Sequence, residues 1–304
     1  MNSRVKNTIP AKTIITKMKR PSDWFGADYN MNIYRGCSHG CIYCDSRSVC
    51  YRIHDFSTIK IKENALQIIR DELRRKVKTG VVHTGSMSDP YNPLEREHKL
   101  TRNSLELLNA YGFGAAVTTK SPLITRDIDV LTDIKSQAPV IVNITVTAFD
   151  DGLCGKIEPN VPAASERMKA VSALSAAGIF CGIMLNPVLP YVTDDAENIL
   201  NILKTAKESG AQFVHTFMSM SLREGSRDYY YGSLQSLFPG ITDKYVKKYG
   251  NRYICYPPHV KKLWDVFANE CEHLGLIYDM NAIAGRYKAG YGSRQMGLQT
   301  VLDT

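Results

Sequence analysis

Three cysteines within eight positions are the densest chemistry in this chain of 304 residues: Arg35-Gly36-Cys37-Ser38-His39-Gly40-Cys41-Ile42-Tyr43-Cys44. Glycines at 36 and 40 let the loop turn sharply, so Cys37, Cys41 and Cys44 can converge on one metal centre, and thiolates select zinc or iron–sulfur centres. Three protein thiolates on a four-iron cluster leave one iron open to another ligand, the logic that separates catalytic from structural zinc. A closed tetrahedral zinc knuckle, completed by His39 or Cys50, competes with the cluster and would belong to a nucleic-acid binding module without catalysis. Cys50, Cys154, Cys181, Cys255 and Cys271 show no second spacing of this kind and read as packing thiols, Cys154 being the exception to watch in its loop after a strand.

The elements that must hold this loop alternate in type. A short strand at 31–34 runs straight into the cysteines, and Ile61, Ala65, Ile68, Ile69, Leu73 and Val77 then recur at helical spacing until Gly80. An apolar run at 81–83 follows, then helix 97–111, strand 113–119, helix 124–135 and strand 140–146. Helix 165–177, strand 179–185, helix 194–209 with Thr193 as N-cap, and strand 212–217 complete the series. Six strands alternating with helices predict right-handed βαβ units and a parallel sheet, doubly wound or partly closed into a barrel. In either form the chemistry is expected at the carboxyl ends of the strands, which is where the cysteine loop sits. The predicted division is a basic arm at 1–23, an α/β body at 24–220, and an extension at 221–304 that is Tyr-rich, contains a helix at 260–274 and packs on the body.

Composition narrows the class further. No apolar run approaches the roughly 18 residues of a membrane helix, and the basic, polar start reads as neither leader nor anchor, so a cytoplasmic protein with no membrane partner is expected. Eight cysteines fall short of a secreted disulfide scaffold and fit a reducing compartment. The net charge of +8 invites a nucleic-acid partner, although Arg70, Arg74, Arg75, Lys76 and Lys78 fall on the outer face of an amphipathic helix where water alone can solvate them.

Further candidates cluster at the strand ends. Gly85, Ser86 and Ser88 in Thr84-Gly85-Ser86-Met87-Ser88-Asp89-Pro90-Tyr91 permit close backbone approach to a ligand. Lys120 puts an ammonium at the rim where it could neutralise a carboxylate, and Asn143 and Thr145 stand among apolar neighbours. Glu158 and Arg167 come within reach of the same rim, and Pro187 shapes a wall.

With the three-then-two spacing of its cysteines in a loop after the first strand, the chain resembles the radical S-adenosylmethionine superfamily. The stretch 24–217 is similar to its spore photoproduct lyase-like branch, often labelled DNA repair photolyase-like, through Asn32-Ile33-Tyr34-Arg35-Gly36-Cys37, Ser88-Asp89-Pro90-Tyr91, Thr119-Lys120-Ser121-Pro122, Glu158-Pro159 and Glu166-Arg167. The resemblance implies an incomplete (β/α)6 barrel with a C-terminal α-rich extension, a 4Fe-4S cluster on Cys37, Cys41 and Cys44, and S-adenosylmethionine on its open iron. It implies reductive cleavage of that cofactor, abstraction of a hydrogen atom from a substrate, and an electron donor such as flavodoxin or ferredoxin. It places Tyr43 near the adenine, Gly85, Ser86 and Ser88 near the methionine amino group, Lys120 and Thr145 at the methionine carboxylate or ribose, and Asn143 and Arg167 around the same cofactor. Two departures separate the chain from the lyase: Ser86 stands where the lyase has its hydrogen-donating cysteine, and Asp45 where it has a tyrosine. Repair of thymine photoproducts is therefore the alternative activity, and the substrate is left open between the barrel mouth and the Tyr-rich segment.

Overall fold

The computed structural model describes residues 8–20 and 24–291. In chain order the body comprises β1 (Thr8–Ile9), β2 (Ile15–Lys17), β3 (Tyr29–Met31), β4 (Tyr34–Arg35), β5 (Lys60–Lys62), α1 (Ala65–Arg74), β6 (Val81–Thr84), α2 (Glu95–His98), α3 (Leu100–Ala110), β7 (Gly114–Thr119), α4 (Ile128–Lys135), β8 (Val140–Thr145), α5 (Asp151–Ile157), α6 (Ala164–Ala176), β9 (Cys181–Met184), α7 (Ala196–Glu208) and β10 (Phe213–His215). The extension adds β11 (Met220–Ser221), α8 (Ser226–Leu237), α9 (Ile241–Tyr249), β12 (Ile254–Cys255), α10 (Val260–Leu274) and α11 (Met280–Lys288).

Six strands pair in parallel, in the order β10-β9-β8-β7-β6-β3, and β2 joins the β3 edge antiparallel. This is the six-unit sheet that the alternation predicts, curved into an open barrel. Because strand side chains alternate in direction, each strand feeds two cores. Val82, Ala115, Val117, Val142, Ile144, Ile183 and Val214 pack outward with the helices. Val81, Ala116, Ile141, Met184 and Phe213 point inward and meet Phe25, Ile283 and Tyr287. Helix α11 thus plugs the amino-terminal end of the barrel, where the Tyr287 hydroxyl donates to the Phe25 carbonyl at 2.8 Å.

Several boundaries differ from the sequence expectation. The first barrel strand ends at Met31, and Tyr34–Arg35 leaves it for a second sheet with β1 and β5, so that the cysteine loop starts from its own three-stranded platform. Ile61 belongs to that platform and Val77 lies exposed beyond α1; only the middle of the 61–77 pattern is helical. Lys99, at φ +50°, breaks the expected 97–111 helix in two. Thr193 does not cap α7: its hydroxyl accepts from Leu189 N–H at 2.9 Å, and Asp195 takes the cap by accepting from Asn198 N–H at 2.7 Å. Helix α5, capped by Asp150, has too few apolar residues to be seen by periodicity.

The extension is helical, and α10 falls where helix 260–274 was expected. Three of its tyrosines turn inward. Tyr230, Tyr245 and Tyr249 are buried against one another, with the Tyr230 and Tyr245 hydroxyls 3.0 Å apart and Tyr245 donating to the Pro190 carbonyl at 2.9 Å.

Candidate active site

The cysteine loop is tied down on three sides. Gly36 adopts φ +83°, and a Cβ there would lie 2.3 Å from the Thr58 carbonyl oxygen, so the chain needs glycine to turn from β4 into the loop. Cys37 N–H donates to the Phe56 carbonyl at 2.7 Å, and the Ser88 hydroxyl donates to the Gly36 carbonyl at 2.5 Å. On the far side Ile42 N–H reaches the Ile157 carbonyl (3.0 Å), and Asn160 donates to the carbonyls of His39 and Ser38. The segment after α5 therefore sets the loop's position as much as its own strand does.

Burial and charge treat the three thiols differently. Burial alone raises the Cys37 thiol, but hydrogen bonding from His39 and from the Asp89 backbone outweighs it and leaves the pKa lowered. Burial pushes Cys41 well up, opposed by the Lys120 ammonium, and raises Cys44 with help from Cys37. Each thiol is thus within electrostatic reach of another. Lys120 itself is pulled down by burial and carried back above its ordinary value by Cys41 and Glu158, so it stays an ammonium.

Beneath the loop lies a buried ion pair. Arg167 donates to Glu158 at 2.5 Å, to the Thr145 carbonyl at 2.8 Å and to the Pro162 carbonyl at 2.8 Å. Burial disfavours the Glu158 carboxylate, yet Arg167 and Lys120 together hold its pKa below the ordinary value. The Tyr43 hydroxyl donates to Glu158 and lies 3.1 Å from the Thr147 hydroxyl, while the Lys120 Nζ stands 5.7 Å from the centre of the Tyr43 ring.

Across the rim, Gly85 at φ +106° lets β6 turn against β7; a Cβ would fall 1.9 Å from the Thr118 carbonyl oxygen. Asp89 fastens the two loops, accepting from the Thr119 hydroxyl (2.6 Å), Lys120 N–H (2.7 Å) and Tyr91 N–H (2.8 Å), with His39 Nδ1 at 3.7 Å. Inside the barrel, Asn143 donates to the Thr118 hydroxyl at 3.2 Å, and Trp24 Nε1–H donates to His83 Nε2 at 2.9 Å. Burial drives the His83 pKa down to about 3, so its imidazole is neutral. Among the described residues, Asn143 Oδ1 and His215 Nε2 are buried with no hydrogen-bond partner.

The structure brings Cys37, Cys41, Cys44, Tyr43, Gly85, Ser88, Lys120, Thr145 and Arg167 to one end of the barrel, with Asn143 one pleat deeper than Thr145. Tyr43 and Arg167 are committed to the Glu158 network. Ser86 is exposed and donates to Asn30 Oδ1 at 3.1 Å. Asp89, Glu158 and His39 hold the site together. Asp89 and Glu158 belong to quoted motifs, yet only the fold reveals what each bridges. Cys50 lies apart, exposed and 3.6 Å from an Arg223 nitrogen, and Cys154 is a buried thiol on the Ala148 carbonyl. Three clustered thiols, a half-buried ammonium and glycines that admit close backbone approach suit an iron–sulfur cluster with a zwitterionic ligand beside it.

Comparison with known proteins agrees. The Radical SAM superfamily model matches residues 31–203. An uncharacterized protein of Mycobacterium tuberculosis is 31% identical over 242 residues, 77% of this chain and 71% of its own length. One from Methanocaldococcus jannaschii is 33% identical over 198 residues, 64% of this chain and 72% of its own. A spore photoproduct lyase variant superposes with TM-score 0.65 at 13% identity, covering 90% of this chain and 80% of the lyase. A lyase variant with bound AdoMet and dinucleoside spore photoproduct gives 0.62 at 14%, covering 88% and 78%. A radical S-adenosylmethionine methyltransferase from Kitasatospora setae gives 0.52 at 12%, covering 81% and 51%. Such low identities establish a shared fold. With its cysteine loop at the carboxyl end of a six-stranded open barrel, the chain belongs to the radical SAM superfamily, an enzyme that works with a 4Fe-4S cluster and S-adenosylmethionine.

Proposed function

We propose that Cys37, Cys41 and Cys44 hold the cluster, and that a substrate in the barrel mouth gives up a hydrogen atom there. The observation that carries this is the pinned three-thiol loop facing Gly85, Lys120 and Thr145 across one barrel end. When bound, the cluster and S-adenosylmethionine supply a one-electron reductive cleavage whose product abstracts hydrogen from an inert C–H bond. The Lys120 ammonium supports binding of the cofactor's carboxylate, the Thr145 hydroxyl and Asn143 amide offer hydrogen bonds along β8, and Gly85 and Ser88 line the β6 side. Glu158 and Arg167 fix Tyr43 and the Thr145 carbonyl, acting as positioning residues. The plug of α11 closes the opposite end against water.

Residues 24–220 form the catalytic unit, with β1 and β2 of the preceding arm paired onto its sheets, and the described part of the 221–304 extension packs on it; residues 1–7, 21–23 and 292–304 lie outside the described residues. A reducing compartment such as the cytoplasm fits the eight free thiols. Among the described residues no helix is long and apolar enough to cross a membrane. Turnover also requires an electron donor, of which a flavodoxin or ferredoxin is the expected kind. Ser86 and Asp45 stand where the lyase places its donor path. Asp45 accepts from Ser221 (3.1 Å) and Tyr51 (3.2 Å), and Ser86 carries a hydroxyl whose O–H bond is too strong to return hydrogen readily. These features favour a substrate other than a thymine photoproduct, with nucleic acid as the second candidate on the strength of the basic charge.

Anaerobic reconstitution followed by dithionite and S-adenosylmethionine tests the proposal. Formation of 5′-deoxyadenosine, with loss of both cluster absorbance and product in Cys41→Ala, is the expected result. An intact cluster that yields no 5′-deoxyadenosine overturns it.

A further inference from the structure

The cysteine loop becomes partly exposed at Cys44 and Asp45, beside β11. Asp45 opens a short 3-10 turn, and its carboxylate binds the Tyr51 hydroxyl, the Ser221 hydroxyl and, at 3.3 Å, Arg223 Nε. Arg223 carries this link outward: it donates to the Tyr253 hydroxyl at 2.6 Å, and its guanidinium lies 4.6 Å from the centre of the Tyr253 ring and 5.8 Å from that of Tyr51. Val49 N–H donates to the Glu224 carbonyl at 3.1 Å, so β11 and α8 grip the flank of the loop.

Around this point a groove of about 610 Å³ runs between Arg223, Arg227, Asp228, Asn251 and Tyr253. Val49, Tyr229 and Tyr253 are 57%, 40% and 46% exposed there. Arg47 lies over the Tyr229 ring at 4.0 Å, and Arg52 and Arg252 are exposed nearby. Among the described residues only Arg223 of these five arginines stands within salt-bridge distance of a carboxylate, so against Asp45, Glu224 and Asp228 the face stays positive. An apolar aromatic centre with a charged rim is the anatomy of a transient protein interface, and charge of one sign raises the encounter rate with an oppositely charged partner.

We propose that this face, formed by the flank of the cysteine loop with β11, β12 and α8, docks an acidic, low-potential electron-carrier protein that reduces the cluster. It rests on the assignment of Cys37, Cys41 and Cys44 as cluster ligands. Electron transfer weakens steeply with distance, and this is where the loop's covalent chain comes to the surface beside arginines able to orient a negative partner. A small, polar encounter area suits a partner that must leave after each electron.

The test is stopped-flow reduction of the reconstituted cluster by photoreduced flavodoxin, an acidic flavoprotein, in wild type and in the double variant Arg52→Glu/Arg252→Glu. Neither residue touches Cys37, Cys41 or Cys44. At low salt the wild-type bimolecular rate constant is expected to exceed that of the variant by at least about tenfold and to fall as salt is added, with the variant nearly insensitive to salt. Dithionite-driven formation of 5′-deoxyadenosine should be the same in both, and Arg52→Lys/Arg252→Lys should restore the flavodoxin rate. Equal flavodoxin rates in wild type and variant overturn the docking face, as does a variant defect confined to single-stranded DNA affinity. Absence of 5′-deoxyadenosine with dithionite in the wild type overturns the cluster assignment instead, and so the two failures are distinguishable.

Discussion

Glutamine in place of Glu158 leaves the Arg167 guanidinium 0% exposed, still bonded to the carbonyls of Thr145 and Pro162 but without its carboxylate. Breaking one side of a buried ion pair destabilises by about 3–5 kcal/mol, out of a total of roughly 5–15 kcal/mol. At about 2–4 °C per kcal/mol, the Tm of reconstituted Glu158→Gln should fall by roughly 6–20 °C. The Tyr43 hydroxyl loses a charged acceptor in the same step, so iron content should fall too. The double variant Glu158→Leu/Arg167→Leu removes both charges and should lose less than the sum of the single variants. The acid side gives a second signature. Arg167 and Lys120 overcome burial to hold the folded Glu158 carboxyl below its ordinary 4.5, so its contribution is present above pH 4.5 and is lost as pH falls through the folded value. Thermal melts across pH 3–7, by circular dichroism without oxygen, should show a flatter acid limb in Glu158→Gln. A Tm shift below about 2 °C, or an unchanged acid limb, would refute the account of this pair as the support beneath the loop.

Gly85→Ala must displace the Thr118 carbonyl or the β6 turn, so a loss of at least about 3 kcal/mol in urea unfolding is expected, together with weakened S-adenosylmethionine binding by calorimetry. Ser88→Ala removes the hydrogen bond to the Gly36 carbonyl and should lower iron retention per chain, whereas Ser86→Ala, at an exposed hydroxyl, should leave it unchanged by iron assay. His83 should titrate by NMR near its folded value of about 3. Because the unfolded chain takes that proton near pH 6.5, stability is full above 6.5 and declines as the pH drops from 6.5 toward 3; His83→Gln should lessen that decline.

Much of this architecture is legible in the sequence because local pattern and global fold agree. The inward and outward faces of β7 and β8 are almost wholly buried, so they read as apolar runs broken only toward their carboxyl ends by Thr118, Thr119, Asn143 and Thr145, and Cys37, Cys41 and Cys44 carry their meaning in spacing alone. What sequence reasoning misplaces depends on partners distant in the chain. Ile61 has helical phase with Ala65, yet pairing with Thr8 and Tyr34 makes it a strand residue. Tyr230 and Tyr245 have the composition of a binding surface, but Pro190 and the other tyrosines bury them. Asp89 looks like a turn residue until β7 brings Thr119 and Lys120 to its carboxylate. Arg167 reads from the sequence only as a cation near the rim; the fold shows it paired with Glu158 and bonded to the Thr145 and Pro162 carbonyls, because a buried guanidinium without a carboxylate is far too costly to leave free.

The plug made by α11 also imposes an order on biosynthesis. The cysteine loop leaves the ribosome well before Ile283 and Tyr287, which close the barrel over Phe25 and Phe213. At about 5–20 residues per second, the roughly 240 residues between Cys44 and Tyr287 take on the order of 12–50 s to make. Throughout that interval the aromatic interior has no floor. Cluster insertion before α11 is made would meet an open funnel, and insertion after it a cup with one mouth, so the two routes present different access to the cysteine loop.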